Sequence, residues 1–313
     1  MDRPDETKAD RPVTLSDGTA ADLAGLSPQQ LIALQWHEER AFARQILAAA
    51  KGSPARAHAI RHAYETVPRI FVRAWPEAGG TLVMGYHRRQ GRLVLDLLAA
   101  QRRRGLPASL FEIGFAGGVL LKQASDAGFP VGGIEVSPTL HRAAGRLLGP
   151  VCEPCLHLGD FLRCELPASQ QPLGVVYWND VFEHIPPDEI LDYLRRIHEL
   201  LIPGGHLVTI TPNWHMRPLD ITRAVCAPRT QAAGLHLKEY TLREVTRLLR
   251  QAGFRRVAMP LCATPRQLVR LGKGLAQAKR LFEPGLEFLP YALARLLCRG
   301  LALSTTIGTK SDR

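Results

Sequence analysis

The sequence lacks a secretion signal. Residues 1–12 are polar and mixed in charge, where a secreted chain would show a basic run followed by an apolar stretch. A cytoplasmic location is the expectation. Cysteine is scarce: the six residues, at 152, 155, 164, 226, 262 and 298, do not form the dense pattern of a disulfide framework in a chain of 313. They are read as reduced. Acid is in deficit, with 29 Asp and Glu against 40 Lys and Arg, so the formal charge of +11 would suit nucleic acid, anionic lipid or acidic substrates. Against nucleic acid, there is no aromatic-interleaved basic strand and no recognised binding module. Dispersed arginines such as Arg102-Arg103-Arg104 and Arg255-Arg256 read as a solvated basic surface. Internal repeats are missing too, which sets aside solenoids. What is present is ordinary globular material, 46% hydrophobic and 22% charged, enough for one domain plus a smaller appendage.

Residues 1–26 have no periodicity and are rich in Asp, Thr, Ala and Pro, so a flexible arm is expected. Ser27-Pro28 supplies an N-cap with proline at the first helical position, and Leu31, Leu34, Trp36, Phe42, Ile46 and Leu47 follow at helical spacing. Ser53-Pro54 opens a second helix that Val67-Pro68 is expected to end. Residues 27–86 therefore read as an N-terminal helical cap.

From His87 a helix leads into alternating units. Strands are expected at 110–114, 131–136, 155–158, 174–178, 206–211 and 254–259, and helices at 118–127, 138–148, 187–201 and 241–252. Pro203-Gly204-Gly205 is expected to stop the helix before the fifth strand, and Gly253 the one before the sixth. The alternation implies an α/β fold with a doubly wound, seven-stranded, mostly parallel sheet over residues 87–260. The seventh strand, 303–308, is expected at the sheet edge. It follows a C-terminal helical insertion within a basic extension, 261–313.

In such a sheet the ligand lies beyond the carboxyl ends of the strands, at the switch point. There the first strand meets Gly114-Phe115-Ala116-Gly117-Gly118-Val119. A dinucleotide turn needs Gly-x-Gly-x-x-Gly, and Ala116 and Val119 break that spacing, so a nicotinamide-dependent oxidoreductase becomes the lesser alternative. A phosphate-free nucleoside demands less of the turn. Glu135, at the end of the second strand, is placed to accept both hydroxyls of a ribose or to cap the helix starting at Pro138. Gly159-Asp160-Phe161, after the third strand, offers an acid for an adenine amino group and a ring to flank the base; the same residues suit an ordinary turn.

These motifs and their order resemble the class I S-adenosylmethionine methyltransferases. The resemblance rests on Glu112-x-Gly114-x-x-x-Gly118, Glu135, Gly159-Asp160, Asn179-Asp180-Val181-Phe182-Glu183-His184 and Leu200-Leu201-Ile202-Pro203-Gly204-Gly205-His206-Leu207. It covers residues 90–260 and is nearest to small-molecule enzymes of the ubiquinone-biosynthesis and natural-product kind. It implies S-adenosylmethionine as cofactor, with Gly114, Ala116 and Gly118 lining its methionine and ribose portion. By the same resemblance Glu135 takes the ribose, Asp160 and Phe161 the adenine, Asn179 the methionine end, and Glu112 the loop or the amino group. Ala116 departs from the family, which most often has glycine there.

Methyl transfer is an in-line displacement, so the protein mainly aligns the acceptor. A small-molecule or lipophilic acceptor methylated at oxygen is expected, with His184 first and His236 second as candidates to take the proton. Each histidine is equally suited to a structural hydrogen bond. A nucleic-acid acceptor is disfavoured because Asn179-Asp180-Val181-Phe182 lacks the Asn-Pro-Pro-aromatic sequence of base-amino methylating enzymes. Cys152, Cys155, His157 and Cys164 are too irregularly spaced for a zinc site, and no metal is assigned. Residues 261–303 mix apolar and basic side chains, interrupted at Arg295 and Arg299. They suit a helical cap, or peripheral membrane contact without spanning.

Overall fold

A computed structural model describes residues 12–76, 87–264, 267–270 and 273–311. Two long antiparallel-packed helices come first, α1 (Pro28–Ala48) and α2 (Pro54–Ala74). Ser27 and Gln30 form a capping box at α1, and the Ser53 hydroxyl caps α2 through Arg56 N–H. Contrary to the expectation at Val67-Pro68, α2 runs through Pro68 for six further residues. The reason is tertiary: Ile70 and Ala74 bury themselves against Val13, Leu23 and Leu31, which offsets the roughly 3 kcal/mol that an interior proline costs a helix.

Those partners also correct the arm. Val13–Thr14 pairs antiparallel with Ala20–Ala21, and Val13 is fully buried. The Thr66 hydroxyl donates to the Thr14 carbonyl at 2.7 Å, and Ser16 N–H donates to Glu38 at 2.6 Å. Residues 12–26 are thus docked on the helices, while 1–11, and the end of the expected cap at 77–86, lie outside the described residues.

Helix α3 (Arg88–Arg103) leads into the sheet. There follow β1 (Leu110–Ile113), α4 (Val119–Asp126), β2 (Val131–Glu135), α5 (Pro138–Leu148), β3 (Leu156–Leu158) and β4 (Leu173–Asn179). Next come α6 (Ile190–Leu200), β5 (Leu201–Ile210), α7 (Leu242–Gln251), β6 (Arg256–Ala258), α8 (Lys273–Phe282), α9 (Tyr291–Gly300) and β7 (Thr305–Thr309). The strand order is β3-β2-β1-β4-β5-β7-β6, with β7 antiparallel to both neighbours and the paired strands β3, β2, β1, β4 and β5 parallel. The reversal on either side of β1 is the switch point.

The seven-stranded sheet is as expected, but the last strand is not at its edge. Strand β7 inserts between β5 and β6, with Ile307 fully buried and facing Val208 and Ala258. A second correction concerns 260–270: Pro260–Thr264 pairs with Gln267–Arg270 as an antiparallel hairpin where helix was expected. Pro203-Gly204-Gly205 lies inside β5, taken up as a bulge that shifts the register from Leu173↔Leu201 to Val175↔His206.

Period-two alternation feeds two cores, one on each face. Phe111, Ile113, Val176, Trp178 and Leu207 face α6 and α7, whereas Leu110, Val175, Tyr177, Val208 and Ile307 face α3 and α4. The C-terminal extension is held as a cap: Met216, Leu242, Met259, Leu286, Ala294 and Cys298 share a third cluster. There the buried Glu283 carboxylate accepts from the N–H groups of Leu242 and Arg243 at the start of α7. Leu281, Phe288 and Leu296 face outward from this cap. No helix among the described residues is long and apolar enough to cross a membrane.

Candidate active site

The turn after β1 is shaped by close packing. Gly114 has φ +70°, and a β-carbon there would lie 2.5 Å from Val181 Cγ2; only glycine fits this contact and this backbone. Val181 follows β4, so the contact locks the loop after β4 onto the turn after β1. Gly118, φ +77°, begins α4 against α5, with a would-be β-carbon 2.9 Å from Ala144 Cβ. Ala116 adopts φ +47°, a left-handed conformation that a β-carbon disfavours.

Ala116 is held there by Glu135. Its N–H donates to Glu135 Oε2 at 2.9 Å, while Val136 and Ser137 N–H donate to Oε1 at 2.9 and 3.0 Å. Glu135 therefore braces the Gly-rich turn and the entry to α5, whose N-cap is Ser137 and not Glu135. Three N–H groups leave about one of a carboxylate's four lone-pair sites for a ribose hydroxyl. Glu112 is buried with no hydrogen-bond partner for Oε2. Burial first, and the neighbouring Glu135 charge second, raise its pKa well above the ordinary carboxylate value. An unpartnered buried oxygen beside a nucleoside-sized turn is a ready acceptor for an ammonium such as that of a methionine moiety.

Asn179 ends β4, adjacent in register to the end of β1, and its amide donates to Asp180 Oδ2 at 3.1 Å. Asp160 Oδ1 accepts from Leu162 N–H at 3.0 Å and from the Tyr193 hydroxyl at 2.7 Å. Phe161 is buried between Phe111 and Tyr193, with Arg196 over its face. The structure thus brings Glu112, Gly114, Ala116, Gly118, Glu135 and Asn179 around one turn, places Asp160 at the next loop, and sets Phe161 in the core.

On the other side of Asn179 the chain makes a short turn, Phe182–His184, whose first residue is buried in the core. Glu183 is fully buried; Oε2 accepts from the Thr211 hydroxyl at 2.9 Å and Oε1 has no hydrogen-bond partner. His184 Nδ1 donates to the Leu235 carbonyl at 2.8 Å, which fixes its tautomer and leaves Nε2 as a lone pair. His236 Nδ1 donates to Glu239 Oε1 at 2.8 Å, and its Nε2 lies 3.9 Å from Glu183 Oε1. The two imidazoles meet edge to face at 4.8 Å.

Burial, then the charge of His236, pulls the His184 pKa down to about 3. Burial also opposes charge on His236, but the Glu239 hydrogen bond and the fields of Glu183, Glu239 and Asp220 outweigh it and raise its pKa to about 9. Burial raises Glu183, assisted by Asp180. Both sequence-predicted histidines are therefore in one cluster, together with Glu183, which sits beside His184 in the motif and was passed over because a glutamate in a turn carries no periodic signal.

The N-terminal helices cover this cluster. Glu39 of α1 accepts from Leu235 N–H at 3.0 Å, and Tyr64 of α2 sets its ring 5.9 Å from His184. Arg56 fastens α2 to the loop before α6, donating to Asp188 at 2.9 Å and to Glu189 at 2.7 Å. Sequence reasoning missed Glu39 and Tyr64. The one available signal was Glu39 within a stripe of buried apolar positions on α1, between Leu31 and Phe42. Elsewhere, His157 Nε2 bonds Gln170 Oε1 at 2.9 Å and Cys152 Sγ approaches Ser125 Oγ at 3.5 Å.

A doubly wound 3-2-1-4-5-7-6 sheet with an antiparallel seventh strand, and a close Gly-rich turn lacking dinucleotide spacing after its first strand, is the fold of the class I methyltransferases. The chain belongs to the methyltransferase-domain family, whose model matches residues 86–258. A carboxy-S-adenosyl-L-methionine synthase from Chromohalobacter salexigens is 29% identical over 143 residues. That match covers 44% of this chain and 51% of the relative, so the chain spans about half the length of the curated relative it matches. Among solved structures, an amino pentose methyltransferase of calicheamicin biosynthesis from Micromonospora echinaspora is 23% identical, covering 44% of this chain and 54% of that one, with a TM-score of 0.34. The 1,6-didemethyltoxoflavin-N1-methyltransferase of Burkholderia thailandensis is 17% identical, covering 84% and 93%, with a TM-score of 0.46.

Proposed function

We propose that the protein transfers the methyl group of S-adenosylmethionine to an oxygen of a small-molecule acceptor, seated between the carboxyl ends of β4 and β5 and the α1–α2 hairpin. The observation that carries this reading is His184. Its Nδ1 is tied to the Leu235 carbonyl, and its bare Nε2 sits in the loop that Val181 locks against Gly114. The hairpin over the cluster favours an acceptor small enough to be enclosed over an extended nucleic acid.

The bound cofactor supplies an electrophilic methyl on a sulfonium. Glu112 Oε2 would take the methionine ammonium, and Gly114 and Gly118 would let the backbone approach the cofactor without a β-carbon at those two positions. Glu135 and Asp160 are the acids for the ribose and the adenine amino group, and Asn179 borders the methionine end. At the acceptor, His184 Nε2 receives the hydroxyl hydrogen bond and so directs the oxygen lone pair away from itself. A hydroxyl proton becomes strongly acidic as the new C–O bond forms, so a base held down to about 3 still receives it and remains neutral beforehand. His236, held charged by Glu239, is the neighbouring charge that, after burial, keeps His184 neutral before the proton moves.

Single-turnover rates of His184→Ala and His236→Ala on the true acceptor test the assignment. Less than a roughly tenfold loss in both would remove the two histidines from the reaction. Calorimetric titration with S-adenosylmethionine, S-adenosylhomocysteine and NAD tests the cofactor: preference for NAD would overturn the reading.

A further inference from the structure

We infer that Glu183, His184 and His236 form a binding site for one divalent transition-metal cation, at the boundary between the cofactor turn and the acceptor pocket. The ligand atoms, a carboxylate oxygen and two imidazole nitrogens, all lie within 4.8 Å of one another. A first-row ion about 2.1 Å from each would draw them to about 3.0–3.4 Å apart, a closure of at most about 1.4–1.8 Å for the widest pair.

Two features beyond proximity point to an ion. Each imidazole is anchored through Nδ1, His184 on a backbone carbonyl and His236 on a carboxylate. That outer hydrogen bond is what orients metal-binding histidines and presents Nε2 inward. Glu183 is also oriented from outside, by the Thr211 hydroxyl on Oε2, while Oε1 is buried without a hydrogen-bond partner and 3.9 Å from His236 Nε2. The only positive group described beside this buried oxygen is His236, which at 3.9 Å is too far for a hydrogen bond, and an ion between them would meet both.

The donor set selects the ion. Two nitrogens and one oxygen suit zinc, iron(II) or their neighbours, whereas magnesium and calcium favour all-oxygen cages. Three protein ligands leave at least one coordination position open, as in catalytic and not structural sites. An acceptor hydroxyl entering that position would be polarised and pinned, the ion displacing the His236 proton and replacing His184 Nε2 as the group that activates the hydroxyl. This use of the ion rests on the proposed function, but the site itself does not.

The test reads metal uptake without turnover. The full chain, stripped with a chelator and dialysed, is titrated calorimetrically with Zn²⁺ and with Mg²⁺, and loaded with Co²⁺ for its visible spectrum. Expected are about one Zn²⁺ per chain, Mg²⁺ binding weaker by at least about a hundredfold, and Co²⁺ bands characteristic of nitrogen and oxygen ligation. Glu183→Gln, His184→Gln and His236→Gln should each lower Zn²⁺ affinity by at least about a hundredfold, and Glu239→Gln, which only steadies His236, by about tenfold. Retained S-adenosylmethionine binding certifies that each variant is folded. Should a variant fail that check, selective Co²⁺ broadening of two imidazole resonances in the unaltered protein gives the same answer. Uptake below about a tenth of an equivalent would leave the cluster as a Glu183–His236 ion pair and overturn the site. So would uptake that survives all three ligand substitutions, or that disappears in Cys152→Ser.

Discussion

The two halves of the proposed site are built differently. The proposed cofactor half is shaped by a backbone turn: Gly114, Ala116 and Gly118 bend the chain after β1, and Glu135, 19 residues on from Ala116, clamps the bend. The acceptor half is made of side chains from distant elements, with Glu39 meeting Leu235 across 196 positions and His184 meeting the same residue across 51. A backbone cradle forms wherever a local run allows left-handed φ and close approach. A side-chain cluster exists only once α1, α2, the loop after β4 and the segment before α7 have packed. Substitutions should therefore act differently on the two sides, the first altering cofactor binding and the second altering the rate or the docking of the hairpin.

The sharpest break should come at Gly114→Ala. Left-handed φ for a residue with a β-carbon costs roughly 1–2 kcal/mol, and the 2.5 Å approach to Val181 Cγ2 adds roughly 1–3 kcal/mol of overpacking. A combined loss in stability or cofactor affinity of roughly 2–5 kcal/mol follows, read by denaturant midpoint and by calorimetry with S-adenosylmethionine. Affinity and midpoint both unchanged would mean that the contact with Val181 is not kept in solution. His184→Ala should do the converse. A fall of about a hundredfold in single-turnover rate, about 2.7 kcal/mol of barrier, is expected with cofactor affinity nearly unaltered. If cofactor affinity fell as far as the rate, the division between the halves would be lost.

Glu39 gives the acceptor half a pH signature. Burial, opposed by hydrogen bonds from Gln35 and Leu235 N–H and reinforced by Asp220, raises its pKa from 4.5 to about 7. The folded chain thus keeps a proton that the unfolded chain has lost between those values. Its contribution is fully present below pH 4.5 and disappears as pH rises through about 7, about 3 kcal/mol in all. Glu39→Gln mimics the protonated form: its carbonyl can still accept from Leu235 N–H, and Gln35, whose Oε1 is buried without a hydrogen-bond partner, can flip to accept from the new amide. The variant should match the parent near pH 4 and exceed it by about 3 kcal/mol near pH 8. Parallel stability profiles for the two proteins would refute this account of the hairpin contact.

The same contrast explains what could be read from the residues alone. Short, mostly apolar runs such as Leu110 to Ile113 and Gly174 to Trp178, and caps such as Ser27 and Ser53, announced their elements because the signal is local. The cofactor turn was legible for that reason, and His184 and His236 were found through a motif and a preceding strand. Their joining into one cluster with Glu183 was not, since no spacing connects position 184 to 236. Three misreadings have the same origin. Pro68 stays helical because Ile70 and Ala74 find a core, β7 enters the sheet because Ile307 has apolar neighbours on two strands, and residues 12–26 are held by Glu38 and Thr66.

Ala116 is the place where a departure noticed in the sequence meets a measurable strain. Its φ of +47° disfavours any residue with a β-carbon, by roughly 1–2 kcal/mol. Glycine would remove that strain but would loosen the unfolded chain, a loss of about 0.4–1 kcal/mol. Ala116→Gly should therefore stabilise the protein by under about 1 kcal/mol, the smallest effect proposed. The N–H that donates to Glu135 is retained in glycine, so the clamp survives and cofactor affinity should hold or rise slightly. A marked destabilisation would show that the alanine methyl packs productively in the turn. The cofactor half would then depend on a side chain after all, and its difference from the acceptor half would narrow to Gly114 and Gly118.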